Sequence, residues 1–324
     1  MHHCIADGIA TTQLLAKFSD DGDRDTFAAD VGAARKSVSP RAGLTLNPLS
    51  WASGIGRGVF GAVTAAEHAA IGAAELAAGL LRPAPESSLN GPVTTMRRYS
   101  AARVRLTDMH KVARAFGVTL NDVALAAITN SYRTVLLARG EHPGRDSLRT
   151  LVPVSVRAVD HFNVAGNRVS AMLPLLPVDE EDPVRQLELV HDRLARAKAS
   201  GQSEGGSAVV VAAKRTPFAL SAWTIRVLSR LPQRAVVALA TNVPGPRTRQ
   251  RLMGRRVLEL LPVPPIALQV RTGIAMLSYA DTFVFGITAD YDTAPDIDTL
   301  ATGIEQGMAQ LLAAARARRR RKSS

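Results

Sequence analysis

The sequence predicts an α/β fold, a sandwich with helices on the faces of its sheet. Three observations carry that expectation. From Arg98 onward, short apolar runs of strand length alternate with longer runs of helical period. Cap and turn residues punctuate the changeovers, among them Gly117, Gly140, Asp182-Pro183 and Pro244-Gly245-Pro246. Apolar residues make up 46% of the 324 residues, which is enough to bury a sizeable core and argues against wholesale disorder.

The elements follow in order. Asp7 can cap a helix running to Phe18, with Ile9, Leu14, Leu15 and Phe18 as its apolar stripe. Residues 19–48 are polar and read as an exposed linker. Trp51 to Leu81 is rich in Gly and Ala and helical in composition. Arg57, Glu67, His68 and Glu75 interrupt its apolar part, so it is not a membrane span. Pro83, Pro85, Gly91 and Pro92 then break the chain.

A strand is expected over 102–106, followed by a helix capped by Thr107 and ended by Gly117. Thr119 caps a longer helix that stops at Gly140. Buried strands are expected over 148–156 and 168–178. Asp182-Pro183 opens a helix to about Ala199, with Leu187, Val190 and Leu194 on one face. A strand over 235–241 runs into the turn Asn242 to Pro246. Strands 273–279 and 282–290 flank the two-residue turn Ala280-Asp281 and form a hairpin. A last amphipathic helix spans 296–316, capped by Asp296 or Asp298.

Charge and cysteine content narrow the function. The net charge of +12 favours an anionic partner: a phosphate-bearing cofactor, a lipid head group or nucleic acid. Arg316, Arg318, Arg319, Arg320, Arg321 and Lys322 supply six of those charges from the last nine residues. Aromatic residues are only 4% of the chain and do not interleave with these cations, which disfavours a base-stacking nucleic-acid reader. The single cysteine, Cys4, excludes an internal disulfide and a multi-cysteine zinc site, and fits a reducing compartment. No basic-then-apolar leader precedes the histidines at the start, so no secretory signal is expected.

The residues best suited to chemistry are His2, His3, Asp7 and Gly8, just before the first expected helix. An imidazole exchanges protons near neutral pH, a nearby carboxylate can hold the loop, and Gly8 lets the backbone turn sharply. His3 would take a proton from an acceptor hydroxyl as its oxygen attacks an activated carbonyl. Other readings of the same residues stay open: a chance or tag-derived histidine pair, a His/Asp metal site, or Cys4 as a nucleophile.

The chain also resembles the bacterial wax ester synthase/diacylglycerol acyltransferase family, in several places and in the family's order. After His2-His3-Cys4-Ile5-Ala6-Asp7-Gly8 come Leu89-Asn90-Gly91-Pro92 with Arg97-Arg98, then Thr119-Leu120-Asn121-Asp122-Val123 and Val152 to Arg157. Gly166 to Ser170, Thr241-Asn242-Val243-Pro244-Gly245-Pro246 and Leu277-Ser278-Tyr279 complete the set. The resemblance implies a chloramphenicol-acetyltransferase-like fold, mixed sheets flanked by helices with a channel between two α/β domains.

By that resemblance His3 is the general base, His2 supports it, Asp7 orients the loop and Gly8 makes the turn. Asn121, Asp122, Asn242, Pro244 and Gly245 are the substrate-channel candidates. Asn121 would be a polar pocket group, with capping or packing of its helix as the alternative. The turn 242–246 would shape the channel wall, or serve only as a rigid connection. The reaction implied is transfer of a long-chain acyl group from acyl-CoA to the hydroxyl of diacylglycerol or a fatty alcohol, without an acyl-enzyme. No bound cofactor or metal is expected, and acyl-CoA is the co-substrate.

Against the family pattern, the N-terminal half-domain before the histidines is largely missing. Met1 stands where the family has an apolar strand residue, so either an internal methionine is taken as the start or the gene has been shortened. The expected domains are a remnant of the N-terminal acyltransferase domain (1–35), a linker with the Gly/Ala-rich crossover (36–97), the C-terminal acyltransferase domain (98–315) and a basic tail (316–324). The expected setting is cytoplasmic, peripheral at the inner membrane or a lipid-droplet surface, with the 54–81 segment and the tail at the lipid and no nucleic-acid partner. The competing readings are an inactive fragment and a basic membrane-surface protein without catalysis.

Overall fold

The computed structural model describes residues 12, 18–20, 78–79, 82, 84–155, 169–200, 235–267 and 269–323. The motif residues His2, His3, Asp7 and Gly8, the 19–48 linker beyond residue 20, and nearly all of the Gly/Ala-rich run lie outside the described residues.

Among the described residues these elements follow one another: β1 (Arg97–Arg105), α1 (Leu106–Phe116), α2 (Leu120–Ala138), β2 (Thr150–Ser155), β3 (Val169–Met172), α3 (Pro183–Ala199), β4 (Ala238–Val243), β5 (Arg251–Leu252), β6 (Arg255–Arg256), β7 (Thr272–Tyr279), β8 (Thr282–Asp290) and α4 (Ile297–Ser323). Six strands form one mixed sheet in the order β1-β8-β7-β4-β2-β3, and β5-β6 form a separate ribbon. The central pairs β2–β4 and β4–β7 are parallel, while β1–β8, β7–β8 and β2–β3 are antiparallel. The parallel pair β2–β4 needs a long crossover, which β3 and α3 provide.

Period-two alternation decides the faces. Ala102, Phe283, Phe285, Ile287, Ile274, Met276 and Ala240 belong to one continuous core with the apolar sides of the four helices. Helices α2 and α4 lie against this face, with α1 and α3 beside them. The opposite face of β7–β8 is strapped by residues 257–267: Tyr279 Oη donates to the Val257 carbonyl (2.9 Å) and Tyr99 Oη to the Pro262 carbonyl (3.2 Å). Strands β7 and β8 are therefore buried on both faces almost throughout, as their continuous apolar runs require.

The interface of α2 with α4 is close. A methyl group on Gly303 would sit 2.8 Å from Ser131 Oγ and 3.0 Å from Ser131 Cα, so only hydrogen fits. Ser131 Oγ uses the proximity to donate to the Leu300 carbonyl at 2.6 Å. At the far end of α2, Arg139 grips Asp296 with two hydrogen bonds of 2.8 and 2.5 Å, joining the two helix termini. No single helix among the described residues is long and apolar enough to cross a membrane.

Several expected boundaries move, each for a local reason. Strand β1 runs straight into α1, so Thr107 lies inside the helix rather than capping it. The hairpin turn substitutes for a cap: the Leu106 amide donates to the Asp281 carbonyl (2.8 Å) and the Thr107 amide to Asp281 Oδ1 (3.1 Å). The strand expected over 168–178 ends at Met172, since Pro174 and Pro177 lack the N–H a ladder needs. An isolated bridge, Arg149 with Leu175, continues the pairing beyond it. Strand β4 reaches Val243, so Asn242 is a strand residue and not part of the turn. The basic tail continues α4 as helix to Ser323, and the Asp296 and Asp298 carboxylates bind Arg139 and Ser100. The α2 and α3 caps, the Gly117 C-cap and the β7–β8 hairpin stand where the residues indicate.

Candidate functional site

The site forms where the carboxyl end of β4, the N-terminus of α2, the start of α1 and the β7–β8 turn converge. Thr119 and Asp122 set the entry of α2 through a reciprocal capping box: the Thr119 amide donates to Asp122 Oδ2 (2.9 Å) and the Asp122 amide donates to Thr119 Oγ1 (3.2 Å). Asp122 is buried, and its Oδ2 also accepts from His191 Nδ1 on α3 at 2.8 Å. Helix α2 is thus fixed at its first turn from two directions. Asn121, one residue earlier, has its side-chain oxygen 3.4 Å from Asn242 Nδ2.

Asn242 is placed by the sheet. Its parallel register with Met276 puts its side chain on the helix-facing side, toward α2. Beyond it the chain closes onto the hairpin. The Gly245 amide donates to Ser278 Oγ (3.0 Å), and the Ala280 amide donates to the Pro246 carbonyl (2.9 Å). A methyl group on Gly245 would lie 2.1 Å from the Ser278 carbonyl oxygen, so the backbones touch there and no side chain can intervene. Proline on either side removes backbone freedom from the same segment.

These elements enclose a cavity of about 590 Å³. Leu106, Leu120, Phe283, Pro244 and Pro246 make it mainly apolar, while His110, Asn242, Ser278 and Arg247 contribute polar atoms. His110 Nδ1 lies 2.8 Å from the Leu106 carbonyl, which accepts from an Nδ1–H. An apolar wall with a few converging polar groups can hold an alkyl chain and orient one polar functional group.

Of the residues singled out from the sequence, Asn242, Pro244 and Gly245 line this cavity and Asn121 meets Asn242 beside it. Asp122 does not line it: its carboxylate is committed to Thr119 and His191. His2, His3, Asp7 and Gly8 fall outside the described residues. Sequence reasoning missed His110, Arg247 and Leu106. His110 carries only the ordinary four-residue spacing to Leu106, which gives no signal of a cavity. Ser278 stood in a quoted motif without a role, and its role is to receive the Gly245 amide. Among the described residues, no group of three or more His, Cys, Asp or Glu is arranged to hold a metal.

Comparison with known proteins places this geometry. A family model for the wax ester synthase/diacylglycerol acyltransferase catalytic domain matches residues 1–124, which include His2, His3, Asp7, Gly8 and Asn121. The model of the C-terminal domain of the same family matches residues 165–312, which include Asn242, Pro244 and Gly245. The chain is 53% identical over 322 residues to a putative diacylglycerol O-acyltransferase of Mycobacterium bovis, covering 98% of this chain and 68% of that protein. A further putative diacylglycerol O-acyltransferase, from Mycobacterium tuberculosis, is 44% identical over 316 residues, with 97% and 63% covered.

Among solved structures, a wax ester synthase/diacylglycerol acyltransferase from Marinobacter aquaeolei matches with a TM-score of 0.58 and 24% identity, over 75% of this chain and 56% of that one. The epimerization domain from the third module of tyrocidine synthetase B shares the fold at 13% identity, with a TM-score of 0.55 over 98% of this chain and 69% of that chain. With both family models matched in order, and a relative sharing half of its residues along almost the whole chain, this chain belongs to the wax ester synthase/diacylglycerol acyltransferase family.

Proposed function

We propose that this chain is an O-acyltransferase that moves a long-chain acyl group from acyl-CoA to the hydroxyl of diacylglycerol, forming triacylglycerol, or to a fatty alcohol, forming a wax ester. The observation that carries the reading is the apolar cavity walled by Asn242 and the clamped Pro244–Pro246 segment, in a chain matched along both of its parts by the family's models. Its apolar residues suit an alkyl chain, and its polar groups suit the ester-forming end.

The chemistry follows from the motif. Neutral His3 takes the proton of the acceptor hydroxyl as the oxygen attacks the thioester carbon. Negative charge builds on the former carbonyl oxygen, which needs a hydrogen-bond donor, and the side-chain amides of Asn121 and Asn242 are the candidates. Collapse of the tetrahedral species breaks the C–S bond. The proton on His3 passes to the departing CoA thiolate, leaving ester, thiol and neutral imidazole. Asp7 and Gly8 hold the loop, His2 supports it, and no acyl-enzyme is formed. Because the substrates are lipids, the enzyme works peripherally at a membrane or lipid-droplet surface.

The test is turnover of the whole chain, given long-chain acyl-CoA with diacylglycerol or with a fatty alcohol, beside its His3→Ala variant. Loss of about 10²- to 10⁴-fold in turnover with an unchanged melting temperature supports the reading. Near-normal turnover by the variant removes His3 as the base.

A further inference from the structure

A second concave surface lies next to the cavity, between α1 and the far end of α4. Its floor is Ala115, Leu312 and Ala315, and its rim is Lys111, Arg114, Arg316, Arg318 and Arg319, around about 430 Å³. The rim holds cations alone. Lys111 pairs with Asp108 (2.7 Å), but among the described residues no carboxylate stands within ion-pair distance of Arg114, Arg316, Arg318 or Arg319. Those four side chains are exposed. Arg318 is held over the Phe116 ring at 5.1 Å, so the groove is partly built before anything binds.

Like charges three and four residues apart oppose helix formation, yet α4 stays helical through Arg321. The helix C-terminus favours cations, which offsets part of that repulsion. What remains is a row of exposed guanidinium groups, on a helical backbone, over an apolar floor.

We infer that this α1–α4 groove and the cationic end of α4 form the surface that docks the protein on an anionic lipid bilayer. Charge complementarity is the first argument: a rim without acids matches phosphate-bearing headgroups, and the apolar floor matches the glycerol and upper acyl region beneath them. Continuity with the site is the second. Leu106 and His110 of α1 line the acyl cavity, while Lys111 and Arg114 of the same helix line the groove. Docking by this face therefore brings the cavity to the lipid within about one helical turn of 5.4 Å. Nucleic acid fits less well, because the one aromatic ring here already lies under Arg318 and leaves no surface on which bases could stack. The inference rests on the acyltransferase reading for its purpose, and on the groove for its place.

The experiment is co-sedimentation of the whole chain with vesicles of phosphatidylcholine alone or of phosphatidylcholine with phosphatidylglycerol. Binding to the anionic vesicles only, weakening steeply as salt rises, is expected. Replacing Arg114, Arg316 and Arg318 together by Gln should weaken it about 100-fold, at roughly fivefold per cation. The corresponding triple Lys variant keeps the charge and should bind within a few-fold of the original, which separates docking from a folding defect. Equal binding to both vesicle types, an unaffected Gln variant, or tighter binding to duplex DNA or RNA that displaces the vesicles would overturn the inference.

Turnover with a short-chain diacylglycerol below its aggregation limit keeps the two readings apart. It should be the same for the Gln variant and the original. Turnover without selectivity for anionic vesicles refutes the docking surface alone. Selective docking without turnover refutes the acyltransferase reading and leaves the surface standing.

Discussion

The two ends of the β7–β8 hairpin share the same strands and the same burial, but they differ in what their polar groups do. At the end away from the turn, Asp290 is buried and accepts from the Thr94 amide (2.5 Å) and hydroxyl (2.8 Å) and from the Thr293 amide (3.2 Å) and hydroxyl (2.8 Å). Nearby, buried Tyr132 and Thr272 share a hydroxyl–hydroxyl bond of 2.8 Å, tying α2 to β7. Every one of these groups is spent on the fold. At the turn end, Ser278 and Ala280 hold the 244–246 segment, but the neighbouring Asn242 and His110 still face a cavity. The bonds that occupy Asp290, Tyr132 and Thr272 make one end a frame, and polar groups that line a cavity make the other the candidate site.

That contrast yields expectations in which the two ends part company. The largest effect on stability is at the frame: Asp290→Ala strands four donors and should cost about 3 kcal/mol, read by chemical denaturation. Turnover per folded molecule should be unchanged. A selective loss of turnover with intact stability would move Asp290 into the site and break the comparison.

Gly245→Ala tests the boundary between them. Its methyl group has no room against the Ser278 carbonyl, so about 1–3 kcal/mol of stability should be lost. Turnover should fall in the same variant, because the displaced segment is the cavity wall. Loss of stability without loss of turnover would reduce 244–246 to a connection.

Asn242→Ala should show the reverse balance. The 3.4 Å contact with Asn121 is long, and its removal should cost under about 1 kcal/mol of stability. The fall in kcat/KM should be roughly tenfold, the equivalent of one hydrogen bond of about 1.4 kcal/mol. A variant with full turnover would withdraw this amide from the reaction.

The last expectation is one of pH. Burial pushes the Asp290 carboxyl up, but the hydrogen bonds from Thr94 and Thr293 outweigh it and hold the pKa at about 2, below the ordinary 3.8. A depressed carboxyl contributes its full stability above 3.8 and loses it as pH falls toward 2. The difference in melting temperature between the original chain and Asp290→Asn should therefore narrow between pH 4 and pH 2. A difference that is constant over that window would remove ionisation from the account of this residue.

Much of this architecture is legible in the residues because it is local. The Thr119–Asp122 capping box, the Asp182-Pro183 helix start, the Gly117 stop and the Ala280-Asp281 turn all lie within a few positions of the groups they satisfy. The ordered motifs carried the family for the same reason: each is a short run with its own composition. The errors came where the partner is remote. Thr107 has the chemistry of a cap, but Asp281, 174 positions away, supplies the acceptors instead. Asn242 resembles a turn residue beside two prolines, but pairing with β7 holds it in the sheet.

The sequence by itself determined the α/β class, the hairpin, the N-caps of α2 and α3 and the family, since periodicity, capping and motif order are properties of neighbouring residues. The tertiary structure alone decided which polar groups meet. Asn121 and Asn242 stand 121 positions apart and Gly245 and Ser278 stand 33 apart; the parallel register of β4 on β7 brings Asn242, Gly245 and Ser278 to one cavity, and the packing of α2 sets Asn121 beside it. It also decided that the terminal arginines stand on a helix against α1. A run of cations specifies charge but not shape, and the shape comes from α4 packing against the sheet and its neighbours over its whole length.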